Sequence, residues 1–396
     1  MNKYNNKWPY YSSDEVKAVS DVLSSGKVNY WTGTHCRNFE SEFSAWCGVT
    51  YSVALANGTV AIDLALKALN VGDGDEVIVT PRSFIASVSS IVNSGATPIF
   101  CDVDMNSGNI DINEIKKLLT NKTKAIICVH LAGWPCDMDP IMALANEHNF
   151  FVIEDCAQAH GAVYKSKMVG SIGHIGCWSF CQDKIMSTGG EGGMVTTNDH
   201  FLWEKMWSYK DHGKNFNSTN NHQKINGFRW VHDSFGTNWR MTEMQAAIGR
   251  LQLKKVSKWT MARNKNANSI IDTLSKYPLV RVPQIDLEEF PGSIHAYYKL
   301  YAYINQEFLS IEWSRDLIVN QINEITGLCF HGSCPEIYLE KAFDGTNFKP
   351  HNRLSNAKKL GEASLMFLVH PTLSEAAINN LKKTIDLVFS KALRVI

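Results

Sequence analysis

The segment Phe150-Phe151-Val152-Ile153-Glu154-Asp155-Cys156-Ala157-Gln158-Ala159-His160 joins a short, wholly apolar run to two adjacent carboxylates. Four apolar residues in succession, with no polar alternation, mark a strand buried on both faces, the habit of parallel sheets covered by helices. Further apolar runs occur on either side of it, at 77–80, 98–101, 125–130 and 194–197. Helix-like stretches at 59–69, 85–93 and 140–148 separate them. This alternation predicts an α/β layer with a mostly parallel sheet. Ligands of such sheets bind outside the carboxyl ends of the strands, so Asp155 is placed to meet a cationic ring nitrogen. The same aspartate also reads as the N-cap of a following helix.

From about residue 251 the pattern changes to a long polar helix over 251–275, an alternating strand candidate over 297–304 and a helix-rich tail. A large α/β domain over 1–250 and a smaller α+β domain over 251–396 are expected. The 396 residues are 44% apolar and 20% charged, which excludes disorder and collagen-like repeats. Thirty-nine basic against 39 acidic side chains remove the basic excess of a general nucleic-acid binder. The opening MNKYNNKWPYYSSDEV has no apolar signal core, and no stretch approaches 18 uninterrupted apolar residues, so a cytoplasmic location is the expectation. The ten cysteines contain no C-x-x-C pair and read as reduced core residues. Cys177 and Cys181, the nearest pair, lack the companions of a zinc site, so no metal is expected.

The glycine series Gly170-Ser171-Ile172-Gly173-His174-Ile175-Gly176 has the wrong spacing for a dinucleotide loop, and there is no G-x-x-x-x-G-K-[ST]. Two other segments carry chemistry. Asn57-Gly58-Thr59 opens an apolar helix after the strand-like 52–56, so backbone N–H groups and a hydroxyl face either an anion or nothing more than a helix cap. Ser179-Phe180-Cys181-Gln182-Asp183-Lys184 is followed by Gly189-Gly190-Glu191-Gly192-Gly193. A lysine in this apolar, glycine-rich setting reads as a desolvated amine able to attack a carbonyl, or as a surface lysine.

The ordered series of Gly58-Thr59, Ser83-Phe84-Ile85-Ala86-Ser87, Glu154 to His160, Ser179-Phe180 with Lys184, Gly190-Glu191-Gly192-Gly193 and Asn238-Trp239-Arg240-Met241 resembles the DegT/DnrJ/EryC1/StrS family of pyridoxal-phosphate-dependent nucleotide-sugar aminotransferases. Ser25-Gly26-Lys27 with Trp31-Thr32-Gly33, and Val369-His370-Pro371-Thr372-Leu373, extend the likeness over nearly the whole chain. A His-Leu-Tyr element of the family stands here as Lys299-Leu300-Tyr301.

The resemblance implies aminotransferase fold type I, with a seven-stranded sheet in the large domain. It also implies pyridoxal 5′-phosphate as cofactor, with pyridoxamine 5′-phosphate formed during turnover. Lys184 then matches the lysine that holds the cofactor and moves protons, and Asp155 the carboxylate facing the pyridine nitrogen. Phe84 matches the aromatic stacked on the ring and Gln158 the amide near its oxygen. Gly58, Thr59 and Ser179 match the phosphate cup, and Asn238 the residue reaching the phosphate from the neighbouring subunit, which implies a homodimer with shared sites. Asn29, Tyr30, Trp31, His212 and Lys214 match substrate-side positions, although Trp31 also reads as core or interface and His212-Gly213-Lys214 as a solvated turn; a nucleotide diphosphate needs local positive partners, for which Lys27, His212 and Lys214 are the candidates.

A 3-dehydratase branch of the family carries histidine where this chain has Lys184, so the lysine implies transamination. The implied reaction moves an amino group from L-glutamate to a dTDP-, UDP- or GDP-linked 4-keto-6-deoxyhexose, for surface polysaccharide such as the O-antigen of lipopolysaccharide. A 3-aminotransferase would keep every cofactor motif. A non-enzymatic sensor on the same fold would instead show decay at Lys184, Asp155 and Gln158, all of which are intact.

Overall fold

A computed structural model describes residues 7–220 and 229–394. Its strands, in chain order, are β1 (Tyr51–Leu55), β2 (Glu76–Val79), β3 (Thr97–Phe100), β4 (Thr123–Val129), β5 (Phe151–Asp155), β6 (Val163–Tyr164), β7 (Lys167–Met168), β8 (Ile175–Ser179), β9 (Gly193–Thr197), β10 (Val280–Arg281), β11 (Leu300–Ile304), β12 (Cys329–Phe330) and β13 (Ser364–Phe367). Seven of them form one sheet in the order β1-β9-β8-β5-β4-β2-β3. The five from β8 to β3 run parallel, and β9 is antiparallel to both β8 and β1. β1 therefore points the same way as the parallel set, and the carboxyl ends of β1, β8, β5, β4 and β2 share one edge.

The apolar runs of the sequence become strands because helices cover both faces. Gly58–Ala68 buries Ala61, Ile62, Leu64, Ala65, Leu66 and Ala68 and packs on β8, β9 and the helices Ala86–Asn93 and His200–Tyr209. At roughly 1.5–3 kcal/mol for each fully buried large aliphatic side chain, such faces hold the layers together. β8 escapes the search for apolar runs because Gly176 interrupts it. A side chain at Gly176 would enter the Gly170 backbone and the Thr196 hydroxyl, so the break in hydropathy is a packing requirement.

The second sheet is antiparallel, in the order β10-β11-β13-β12, and is backed by the helices Arg315–Thr326 and Glu375–Ala392. Two expectations shift here. The helix expected over 251–275 is two helices, Glu243–Leu253 and Val256–Leu274. The first packs on helices Ser13–Ser25 and His35–Cys47. The second carries Ala267, Ile270, Ile271 and Leu274 into the core of the second sheet, so one straight rod cannot serve both. The strand expected from 297 begins at Leu300, because Tyr297 turns the backbone at φ 44° and its ring stacks on His295 at 3.8 Å. Ile337, Tyr338 and Phe343, far along the chain, bury themselves in the core of the first sheet. Among the described residues no helix is long and apolar enough to cross a membrane.

Candidate active site

The shared edge collects the residues singled out by the sequence. Asp155 ends β5 and is buried. Its carboxylate accepts hydrogen bonds from the Ser87 hydroxyl at 2.8 Å and the Ala157 N–H at 3.1 Å. Ser87 in turn is 3.0 Å from the Ser83 hydroxyl, so the loop after β2 and the first turn of the helix Ala86–Asn93 hold the aspartate in place. Phe84, on the loop after β2, is 66% exposed, an unusual position for a phenylalanine. Gln158 is buried, and its Oε1 accepts the N–H of Ala132, whose backbone lies in the left-handed region at φ 56°. That bond fixes the amide, leaving Nε2 as its donor end.

At the end of β8, Ser179 packs against the start of the helix Gly58–Ala68, and only a glycine fits at position 58, since a Cβ would strike the Ser179 side chain. Asn57 caps this helix by accepting the Val60 N–H at 3.0 Å. Gly193, the first residue of β9, lies under the same turn, where a side chain would collide with the Asn57 carbonyl.

Lys184 sits on the loop between β8 and β9 with its side chain 16% exposed, its ammonium 4.0 Å from Asp183 and 5.1 Å from the centroid of the Tyr298 ring. The loop is tied down by a strap that sequence reasoning missed. Trp8 Nε1 donates to the Lys184 carbonyl at 2.9 Å and the Tyr11 hydroxyl to Ser187 at 3.0 Å, while Thr372 donates to the Lys7 carbonyl at 2.9 Å. Nothing local in 7–11 announces these contacts with residues more than 170 positions away. His160 lies wholly buried against Trp178 and Phe180, and burial pulls its pKa down to about 3, so it is neutral at physiological pH.

The substrate-side candidates are brought together only in part. Trp31 and Lys214 meet, the ammonium 4.1 Å from the ring centroid and 3.1 Å from Asp211, which also binds Arg240 at 2.6 Å. Tyr30 faces inward. It is buried, its hydroxyl donates to Glu40 and accepts from Trp207, and Lys210 lies 3.7 Å over its ring. Asn29 spends its side-chain oxygen on the Trp31 N–H at 3.0 Å. Lys27 and His212 are exposed. Asn238 is exposed too, on a segment whose next residues run beside β1, with the Trp239 carbonyl accepting the Ala56 N–H at 2.9 Å.

The glycine series at 170–176 has a structural task. The Gly170, Ile172 and Gly173 N–H groups donate to Glu154 at 2.8, 2.8 and 2.6 Å, and His130 Nε2 lies 3.0 Å from the same carboxylate. Burial alone would raise the Glu154 pKa, but His130 and these N–H groups hold it below the usual glutamate value. His130, Glu154 and Cys156 are the described residues closest to a metal-ligand triplet, and the carboxylate oxygens are already occupied by these donors. The cysteines are free thiols, eight of them buried.

This geometry sets a lysine amine, a buried carboxylate and a hydroxyl at a helix start along one edge of an α/β sheet, the donor set that an aromatic aldehyde phosphate requires. Residues 9–386 match the model of the DegT/DnrJ/EryC1/StrS aminotransferase family, and the chain belongs to that family. It is a pyridoxal-phosphate-dependent aminotransferase of fold type I. The solved aminotransferase from Psychrobacter cryohalolentis is 60% identical, with a TM-score of 0.95 over 98% of this chain and 99% of that one. GDP-perosamine synthase of Escherichia coli O157:H7 is 41% identical over 66% of this chain and 71% of its own length. A UDP-N-acetyl-3-dehydro-alpha-D-glucosamine 3-aminotransferase of Acidithiobacillus ferrooxidans is 42% identical over 71% of each chain.

Proposed function

We propose that the protein transfers the amino group of L-glutamate to a nucleotide-linked 4-keto-6-deoxyhexose. The observation that carries this reading is the placing of Lys184, Asp155 and the Gly58–Ser179 contact on one sheet edge, together with relatives that act on nucleotide sugars. Bound there, pyridoxal phosphate supplies an electron sink for carbon–hydrogen bond cleavage. Lys184 would hold it covalently and, as a free amine, would take and return a proton at the reacting carbon. Asp155, oriented by Ser87 and Ala157, keeps a proton on the ring nitrogen. Phe84 covers the ring face, and the Gln158 amide donates to the ring oxygen. Gly58, Thr59 and Ser179 cup the phosphate through the helix start.

The exposed Asn238 serves the site of a second copy, so the working unit is a homodimer. Trp31 and Lys214 receive the sugar nucleotide, with Lys27, Asn29 and His212 at its rim and Tyr30 supporting Trp31 from behind. The 3-aminotransferase relative favours one alternative, a 3-keto sugar in the same pocket.

Purified enzyme should be yellow, lose its colour with L-glutamate, and regain it with the accepted sugar. Screening dTDP-, UDP- and GDP-linked 4-keto-6-deoxyhexoses, with NMR assignment of the aminated carbon, tests the substrate. Amination at C3 would replace the reading with its alternative, and no colour change with any donor would remove it.

A further inference from the structure

Lys299 immediately precedes β11, and its ammonium lies 4.7 Å from the centroid of the Tyr298 ring that Lys184 also approaches. A third cation closes the group from the helix Val256–Leu274. Arg263 is buried, Nη1 donates to the Tyr297 and Tyr298 carbonyls at 3.3 and 3.2 Å, and Nε and Nη2 have no hydrogen-bond partner among the described residues. One carboxylate, Asp183, answers the three. It accepts the Tyr298 hydroxyl and stands beside Lys184. His370 faces the same cluster and is neutral, since burial holds it at about 3. Burial likewise pushes Lys299 down to about 8, Asp183 opposing and Arg263 and Lys184 adding to the shift. Positive charge in excess is costly in a desolvated place unless an anion joins it.

We propose that Lys299 binds the distal carboxylate of a dicarboxylic amino donor whose nitrogen is delivered at Lys184. This rests on the donor named under Proposed function. The assignment of ends follows from charge. The α-carboxylate stays two bonds from the reacting nitrogen, whereas the distal one, about 5 Å from that nitrogen at ordinary bond lengths, is the end long enough to pass Tyr298, the ring both ammonium groups approach, and meet Lys299. The second sheet thereby supplies the donor specificity of a centre built by the first. The Lys299-Leu300-Tyr301 element acquires a role as the donor's anion site.

The test uses the holoenzyme and glutarate, a dicarboxylate with no amine, so that binding is read without turnover. Lys299→Met should weaken the calorimetric Kd for glutarate by about tenfold or more. It should raise the L-glutamate KM for colour loss to a similar degree while leaving the L-alanine reaction within about twofold. Lys299→Arg should restore both, and Lys299→Gln replaces the methionine variant if that one misfolds. An unchanged glutarate Kd, no glutarate binding to the wild type, or equal losses with glutamate and alanine would overturn the proposal. A wild-type enzyme whose colour persists with glutamate defeats the donor in the proposed function, and the glutarate titration still decides Lys299.

Discussion

Glu154 and Asp155 are adjacent on one strand, and the pleat sends their side chains to opposite faces. Asp155 turns to the face that carries Ser87, and its proposed role is legible because a carboxylate ending an apolar strand has few structural reasons to be there. Asp155→Asn should lower transamination by two to four decades, roughly 3–5 kcal/mol of barrier, with the melting temperature little changed. Full activity in that variant would take Asp155 out of the site. Glu154 was legible only as its neighbour, since His130 and the 170–173 turn that hold it are separated from it in sequence. Glu154→Gln leaves buried donors poorly matched and should cost about 3 kcal/mol in urea unfolding at neutral pH. The sign with pH follows from its lowered pKa. The contribution is full above the ordinary glutamate value of 4.5 and is lost as pH falls through the folded value, so the gap between wild type and variant should narrow in acid. A gap that stays constant on acidification would refute the buried carboxylate's part.

At the scale of elements, the sequence conveys strands through hydropathy and misses what close approach imposes. β8 hides behind Gly176, and the break between Glu243–Leu253 and Val256–Leu274 carries no proline or glycine to announce it. The break comes from two cores pulling on successive faces. The same logic makes Gly193 a test of the phosphate-side turn. Gly193→Ala would press a methyl group against the Asn57 carbonyl and displace the start of the helix Gly58–Ala68. Cofactor retention after dialysis, followed by visible absorbance, should drop about tenfold or more, with a destabilisation of about 1–3 kcal/mol from overpacking. Tight retention in the variant would show that this turn does not carry the phosphate.

For the whole molecule, the decisive experiment is complementation between subunits. Lys184→Ala and Asn238→Ala homodimers should each be nearly inactive. Mixed dimers then carry one site with both lesions and one with neither, and activity should reappear in proportion to the hybrid. Hybrids confirmed by mass that stay inactive would disprove site sharing. A proposed partnership between copies is the part least legible in one chain, because Asn238 looks like an ordinary exposed residue until a second surface is supposed. The strap formed by Trp8 and Tyr11 has a practical corollary of its own. Residues 8–11 are hydrogen-bonded to the lysine loop, so trimming them removes a bond from the Lys184 carbonyl and another from Ser187. For engineering, residues 8–11 are best left intact together with the loop they brace.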